Sequence, residues 1–273
     1  MLVDSHLHLV NCGYENIDEI ISRAKKNSVN YFILGGTNKE ENVMNIELVN
    51  NYDCIFLTLG YHPEVANDIN DEDLELLEEQ IINNKGKVVA IGEIGLDYFY
   101  GKDNIGKQKD LFIKQLRIAK KYNLPVVIHT RDAINDTYNI LKDEGINKGV
   151  IHCYSSSYEM ALKFINLGFY LGIGGVVMFK NSNLKEVVSK ISLNNIVLET
   201  DSPYLSPDRG KKNEPCNILI VASYLADLYD VSFEEVSNVT TKNVFSLFDL
   251  DGRLWYYFYN KVGDSWIKKR KRV

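Results

Sequence analysis

Eight short apolar runs punctuate the chain: Leu2–Leu7, Tyr31–Gly35, Ile55–Gly60, Val88–Gly92, Val126–His129, Gly149–His152, Phe169–Ile173 and Ile196–Glu199. They are rich in β-branched residues and nearly unbroken in hydrophobicity, which is how strands read when a parallel sheet buries both their faces. Between them the period changes. Leu74, Leu77 and Ile81 fall at spacings of three and four, as do Phe112, Leu116 and Ala119, drawing an apolar stripe on a helix with charges opposite. Eight strands alternating with helices predict an α/β chain folded as a (β/α)8 TIM-type barrel. The competing arrangement is an open doubly wound sheet, whose dinucleotide-binding form is disfavoured because no G-x-G-x-x-G follows the first run. The pattern ends near Leu247, so residues 1–250 read as one barrel domain and 251–273 as a short extension. The extension holds Trp255, Tyr256, Tyr257, Phe258, Tyr259 and Trp266, then Lys268-Lys269-Arg270-Lys271-Arg272. It reads either as an apolar patch with a solvated basic end or as a tail that touches nucleic acid or an acidic surface.

The length of 273 residues suits one such barrel, which typically takes about 250. A chain of this size buries a large core without metal staples, so a metal site here would serve function rather than folding. The formal net charge of −6 argues against a protein that coats nucleic acid by counterion release, since such proteins are usually strongly basic. It does not exclude a nuclease, which meets phosphate with bound ions and a few local cations. Cys12, Cys54, Cys153 and Cys216 make no C-x-x-C pair and read as reduced thiols. With no basic leader and no run of about 20 apolar residues, the expectation is a cytoplasmic protein with no membrane segment and no obligate protein partner.

In a barrel of this kind, functional groups come from the C-terminal strand ends. The first run brings Asp4, His6 and His8 there, the third His62, the fourth Glu93, the fifth His129 followed by Arg131 and Asp132, the sixth His152, and the eighth Glu199 and Asp201. All five histidines of the chain fall at these ends. One alone reads as a hydrogen-bonded core residue; five on a single rim read as a site. His6 and His8, two apart on a strand, share a face. Their imidazoles, with those of His129 and His152 and the carboxylates of Glu93 and Asp201, suit borderline divalent ions such as Zn²⁺, Mn²⁺, Co²⁺ or Ni²⁺. Six donors exceed the three protein ligands of one catalytic zinc and fit two ions about 3.5–4 Å apart, bridged by a carboxylate. The competing reading of Glu93 and Asp201 is a structural ion pair or a helix cap. Cys153, next to His152, is expected to point away from the site.

Val3-Asp4-Ser5-His6-Leu7-His8, Gly60-Tyr61-His62-Pro63, Ala90-Ile91-Gly92-Glu93-Ile94-Gly95-Leu96-Asp97-Tyr98, Pro125-Val126-Val127-Ile128-His129, Ile151-His152-Cys153-Tyr154, Glu199-Thr200-Asp201-Ser202-Pro203-Tyr204 and Arg209-Gly210-Lys211-Lys212-Asn213-Glu214-Pro215 together resemble the TatD family of metal-dependent hydrolases in the amidohydrolase superfamily. The resemblance implies a TIM-type barrel and a deoxyribonuclease that hydrolyses phosphodiesters, commonly as a 3′→5′ exonuclease on single-stranded DNA. It implies two divalent ions (Zn, Mn, Mg, Co or Ni) on His6, His8, Glu93, His129, His152 and Asp201, with Glu93 bridging and His62 near the scissile phosphate. Asp201, Glu93 and His62 are then the catalytic set, Asp201 orienting a water and accepting its proton.

Arg131, Arg209 and Lys211, with Lys212, are candidate phosphate contacts; their alternatives are an ion pair with Asp132 for Arg131 and a solvated turn for the loop. Tyr98, Phe99, Tyr100 and Tyr204 are candidates to stack on bases or to pack on the rim. Two other functions remain open at this point. The same ions would hydrolyse a lactone, a cyclic amide or a carboxylic ester. More remotely, the barrel would serve as a non-enzymatic scaffold or binding protein, a reading that the complete ligand set disfavours.

Overall fold

The computed structural model describes residues 1–99, 102–208 and 210–254. The expectations for Tyr100, Arg209 and the aromatic and basic segment 255–273 lie outside the described residues. Eight parallel strands form one sheet in sequence order: β1 Leu2–Leu7, β2 Val29–Leu34, β3 Ile55–Leu59, β4 Val88–Asp97, β5 Val126–Arg131, β6 Gly149–Ile151, β7 Phe169–Ile173 and β8 Ile196–Leu198. The helices between and after them are α1 Ile17–Lys26, α2 Lys39–Val49, α3 Asp71–Asn83, α4 Ile105–Tyr122, α5 Ile134–Asp143, α6 Tyr158–Asn166, α7 Leu184–Val188, α8 Ile218–Tyr229 and α9 Phe233–Phe248. This is the TIM-type barrel the apolar runs predict. Among the described residues no single helix is long and apolar enough to cross a membrane.

The strands are apolar on both faces because they serve two cores. Phe32, Leu57, Ile91, Ile128 and Leu171 pack outward with Ile21, Leu77, Phe112 and Phe164 of the surrounding helices. Val3, Ile33, Phe56, Val89, Val127, Val150 and Val197 form a separate interior cluster with Val244, Leu247, Phe248 and Leu250. The carbonyl of Met1 accepts from Ser237 (2.6 Å) and Thr241 (2.9 Å) of α9. That helix therefore plugs the N-terminal mouth, and the opposite mouth is left for chemistry. The seam between β8 and β1 depends on a side chain: Asp4 accepts from the Thr200 N–H (2.9 Å) and hydroxyl (2.5 Å). Just beyond, Asp201 N–H reaches His6 O (3.0 Å) and His8 N–H reaches Ser202 O (2.7 Å).

The largest departure from the sequence reading is β4, which runs on to Asp97 instead of stopping at Gly92. Its ladder to β5 breaks register between Ile91 and Ile94, then resumes with Ile94 opposite Ile128 and Gly95 opposite His129. Glu93 lies in that irregularity, with its N–H donating to Gly36 O at 2.8 Å. A local break in a ladder re-aims a side chain without ending the strand.

Candidate metal centre

His6 lies in β1 and His8 just past it, and their Nε2 atoms are 3.2 Å apart. The rings fit because residue 35 is glycine: a Cβ there would stand 2.7 Å from His6 Cε1 and 3.0 Å from His8 Cε1. Glu93, buried, faces two groups of histidines with its two oxygens. Oε2 is 3.3 Å from His6 Nε2 and 3.9 Å from His8 Nε2. Oε1 is 2.9 Å from His129 Nδ1, 3.8 Å from His62 Nε2 and 3.9 Å from His152 Nε2. Asp201 Oδ1 stands 3.6 Å from His8 Nε2, 3.8 Å from His152 Nε2 and 3.9 Å from His6 Nε2. All six residues proposed from sequence as ligands, and His62, thus converge on one pocket at the C-terminal mouth.

Electrostatics in this pocket follow from burial set against close opposite charge. Burial alone would raise Glu93, but His152, His129 and His6 hold it well below the usual carboxylate range. Asp201 is lowered too, burial being outweighed by His152 and His8. Burial likewise disfavours charge on His129 and His152, yet Asp97 and Glu93 lift His129 to about 9. Glu199, Glu93 and Asp201 lift His152 to about 10. His6 is lowered by burial and by His152, and His62 is lowered by burial to about 4. In the protein alone, protons on some imidazoles stand in for cations among the carboxylates.

The donor set fits divalent ions. Ligand bonds of about 2.0–2.2 Å put neighbouring donors about 3.0–3.5 Å apart, and the donor atoms of three clusters lie within 4.8 Å of one another: His6, His8 and Glu93; His6, His152 and Asp201; and His62, Glu93 and His129. Two ring nitrogens 3.2 Å apart have room for one proton between them and are better satisfied by a shared cation.

Two carboxylates that sequence reasoning left without a role hold the histidines from behind. Asp97, buried, places Oδ2 3.1 Å from His129 Nε2. Its own backbone is clamped by Gln108 of α4 through two hydrogen bonds of 2.9 Å. Glu199 places Oε1 3.1 Å from His152 Nδ1 and accepts the Cys153 N–H at 2.6 Å. Its carboxylate occupies the space beside Gly172, where a Cβ would stand 2.2 Å from Oε2. Such partners fix which ring nitrogen faces a metal. The one available signal was spacing: Asp97 and Glu199 each share a strand end with a proposed ligand. Cys153 Sγ lies within 4.8 Å of donor atoms of His152 and Glu199, the carboxylate behind His152, and joins no cluster with Glu93 or Asp201 among the described residues. Because β6 ends at Ile151 and Cys153 adopts φ 45°, strand alternation is not what orients it.

At the rim, His62 caps the turn Pro63–Val65, its Nδ1 accepting the Glu64 N–H at 3.3 Å. That contact leaves Nε2 as the proton-bearing nitrogen facing Glu93. The Arg131 guanidinium stacks 3.7 Å from the Phe99 ring centroid. Tyr98 donates to Asp136 at 2.8 Å, and so packs on the rim. Lys211 pairs with Asp208 at 2.7 Å on the exposed loop. Lys212 stands 4.0 Å above the ring of Tyr14.

Residues 3–249 match the family model described as TatD related DNase. The uncharacterized metal-dependent hydrolase YabD of Bacillus subtilis is 40% identical over 257 residues, covering 92% of this chain and all of that one. Human deoxyribonuclease TATDN3 is 33% identical over 259 residues, covering 90% of this chain and 94% of that one. The crystal structure of YJJV, a TatD homolog from Escherichia coli, superposes with a TM-score of 0.87 at 31% identity, over 91% of this chain and 98% of that one. The family match spans the barrel and every residue of the buried histidine and carboxylate pocket, and the chain belongs to the TatD family of metal-dependent hydrolases.

Proposed function

We propose that the protein is a deoxyribonuclease that hydrolyses phosphodiester bonds, as a 3′→5′ exonuclease on single-stranded DNA, with two divalent ions held by His6, His8, Glu93, His129, His152 and Asp201. The observation that supports this most is Glu93, one buried carboxylate that presents Oε2 to His6 at 3.3 Å and Oε1 to His129 at 2.9 Å, and so would offer one oxygen to each of two groups of histidines. From a bound pair of ions the site would gain a water of lowered pKa and compensation for charge on the phosphoryl oxygens. The chain supplies the rest. Asp201 is held ionised, and its side chain is 15% exposed against 6% for Glu93; it orients the attacking water and accepts its proton. His62 directs its Nε2–H towards a phosphoryl oxygen, adding a fixed donor where negative charge gathers. Asp97 and Glu199 keep His129 and His152 in the ring orientation that ligation needs. Arg131, at the end of β5, faces a neighbouring phosphate.

The test is cleavage of end-labelled single- and double-stranded oligonucleotides by chelated protein resupplied with Mg²⁺, Mn²⁺ or Zn²⁺, beside a panel of lactones, cyclic amides and carboxylic esters. Metal-dependent shortening of the single strand from its 3′ end is expected. Turnover of the panel with intact oligonucleotides would overturn the proposal.

A further inference from the structure

We infer that two base-stacking platforms flank the metal centre, Phe99 with Arg131 on one side and Tyr204 on the other. They receive nucleobases of a single-stranded nucleic acid on either side of the scissile bond. This rests on the phosphodiesterase reading and adds how the polymer is held. Among the exposed large apolar side chains of the described residues, only Phe99 (54%) and Tyr204 (58%) are aromatic. The others are Met1 and the helix residues Val43, Met44, Leu76, Ile82, Leu162 and Ile220. Phe99 instead stands just past the C-terminal end of β4, and Tyr204 in the loop that follows β8, at the mouth that carries the centre. Leaving so much apolar surface in water is unfavourable, and at this mouth a flat π-faced ligand would cover it.

Both platforms are tied to the centre by hydrogen bonds. Phe99 N–H donates to Asp97 Oδ1 at 2.9 Å, while Oδ2 of the same carboxylate meets His129 Nε2 at 3.1 Å. Tyr204 N–H donates to Asp201 O at 2.8 Å, and its ring centroid lies 6.0 Å from that of His8. The strand order puts β4 and β5 across the barrel from β8 and β1. A strand crossing the mouth therefore meets Tyr204, the centre and Phe99 in turn. The Arg131 guanidinium covers one face of Phe99 at 3.7 Å, which offers phosphate a cation beside the stacked base. Stacking tolerates any base and needs unpaired ones, so the occupant is single-stranded and its sequence matters little.

The test is kcat/KM of the metal-loaded enzyme on single-stranded oligonucleotides, intact or with one abasic residue on the 5′ or the 3′ side of the scissile bond. In the wild type each abasic residue should lower kcat/KM at least about fivefold. Phe99→Ala and Tyr204→Ala should each lower kcat/KM on the intact strand and abolish the abasic penalty on one side, the two variants on opposite sides. Phe99→Trp and Tyr204→Phe should keep both penalties. A wild type indifferent to abasic residues, or alanine variants that retain both penalties, would overturn the platforms while leaving the phosphodiesterase reading intact. Failure to cleave any oligonucleotide would overturn both.

Discussion

Asp97→Asn changes one oxygen to an amide nitrogen and removes one charge, so the packing around the buried side chain hardly alters. The consequence is electrical and directional. Asp97 now accepts at both ends, from Phe99 N–H at 2.9 Å and towards His129 Nε2 at 3.1 Å. Asparagine can accept at only one. If its oxygen stays with Phe99, its amide meets Nε2 and drives the His129 proton to Nδ1, the nitrogen facing Glu93. The ring then presents N–H where a ligand lone pair is required. A charge-assisted hydrogen bond contributes about 1.5–3 kcal/mol, which converts to roughly a tenfold to hundredfold loss in metal affinity, the range seen when such outer partners are removed. Competition of the chelated protein with a chromophoric chelator for Zn²⁺ or Mn²⁺ measures it. The thermal midpoint of the metal-free variant separates weak binding from poor folding. Affinity within twofold of wild type in a folded Asp97→Asn protein would refute the argument that Asp97 sets the His129 tautomer.

Three further outcomes follow from the same structure. In metal-free protein, His129 and His152 are raised to about 9 and 10 from the ordinary 6.5, so their contribution to stability is complete below pH 6.5 and lost as pH climbs through 9 and 10. The thermal midpoint after chelation should fall by at least about 4 °C between pH 6.5 and 10, and a flat or rising midpoint would contradict the assignment. Gly172→Ala should weaken metal binding about tenfold by displacing the Glu199 carboxylate that a Cβ would meet at 2.2 Å; equilibrium dialysis reads this, and unaltered affinity would remove Glu199 from the account. Phe248→Ala, in the plug of the barrel interior, should cost about 3–5 kcal/mol in urea unfolding, and a loss under about 1 kcal/mol would show that α9 does not close the interior core.

Much of this architecture is legible in sequence because parallel barrel strands are buried on both faces, and runs such as Val126–His129 and Phe169–Ile173 carry no competing signal. The site is legible for a related reason. Polar residues inside a nearly all-apolar pattern stand out, and each of the five histidines lies within a run or no more than two residues past its end. What was missed depends on backbone irregularity and on pairing across the barrel. Glu93 looked like the end of β4 because a charged residue should end a buried strand, whereas a register break lets Glu93 turn inward and the strand continue. The partners of Asp97 and Glu199 come from β5 and from just past the end of β6 respectively, and periodicity along one strand carries no information about them. Asp4, too, is a strand carboxylate whose task, stitching β1 to Thr200, appears only once the first and last strands meet. Cys153 marks where alternation stops applying, two residues beyond the end of β6.

The central claim is a two-ion hydrolytic centre bridged by Glu93. It is tested most directly by titrating chelated protein with Mn²⁺ while following release of the terminal nucleotide from a labelled single-stranded oligonucleotide. The account predicts activity that rises until two equivalents per chain are bound, with Glu93→Gln silent throughout. Activity complete at one equivalent, or cleavage by Glu93→Gln at the wild-type rate, would contradict it.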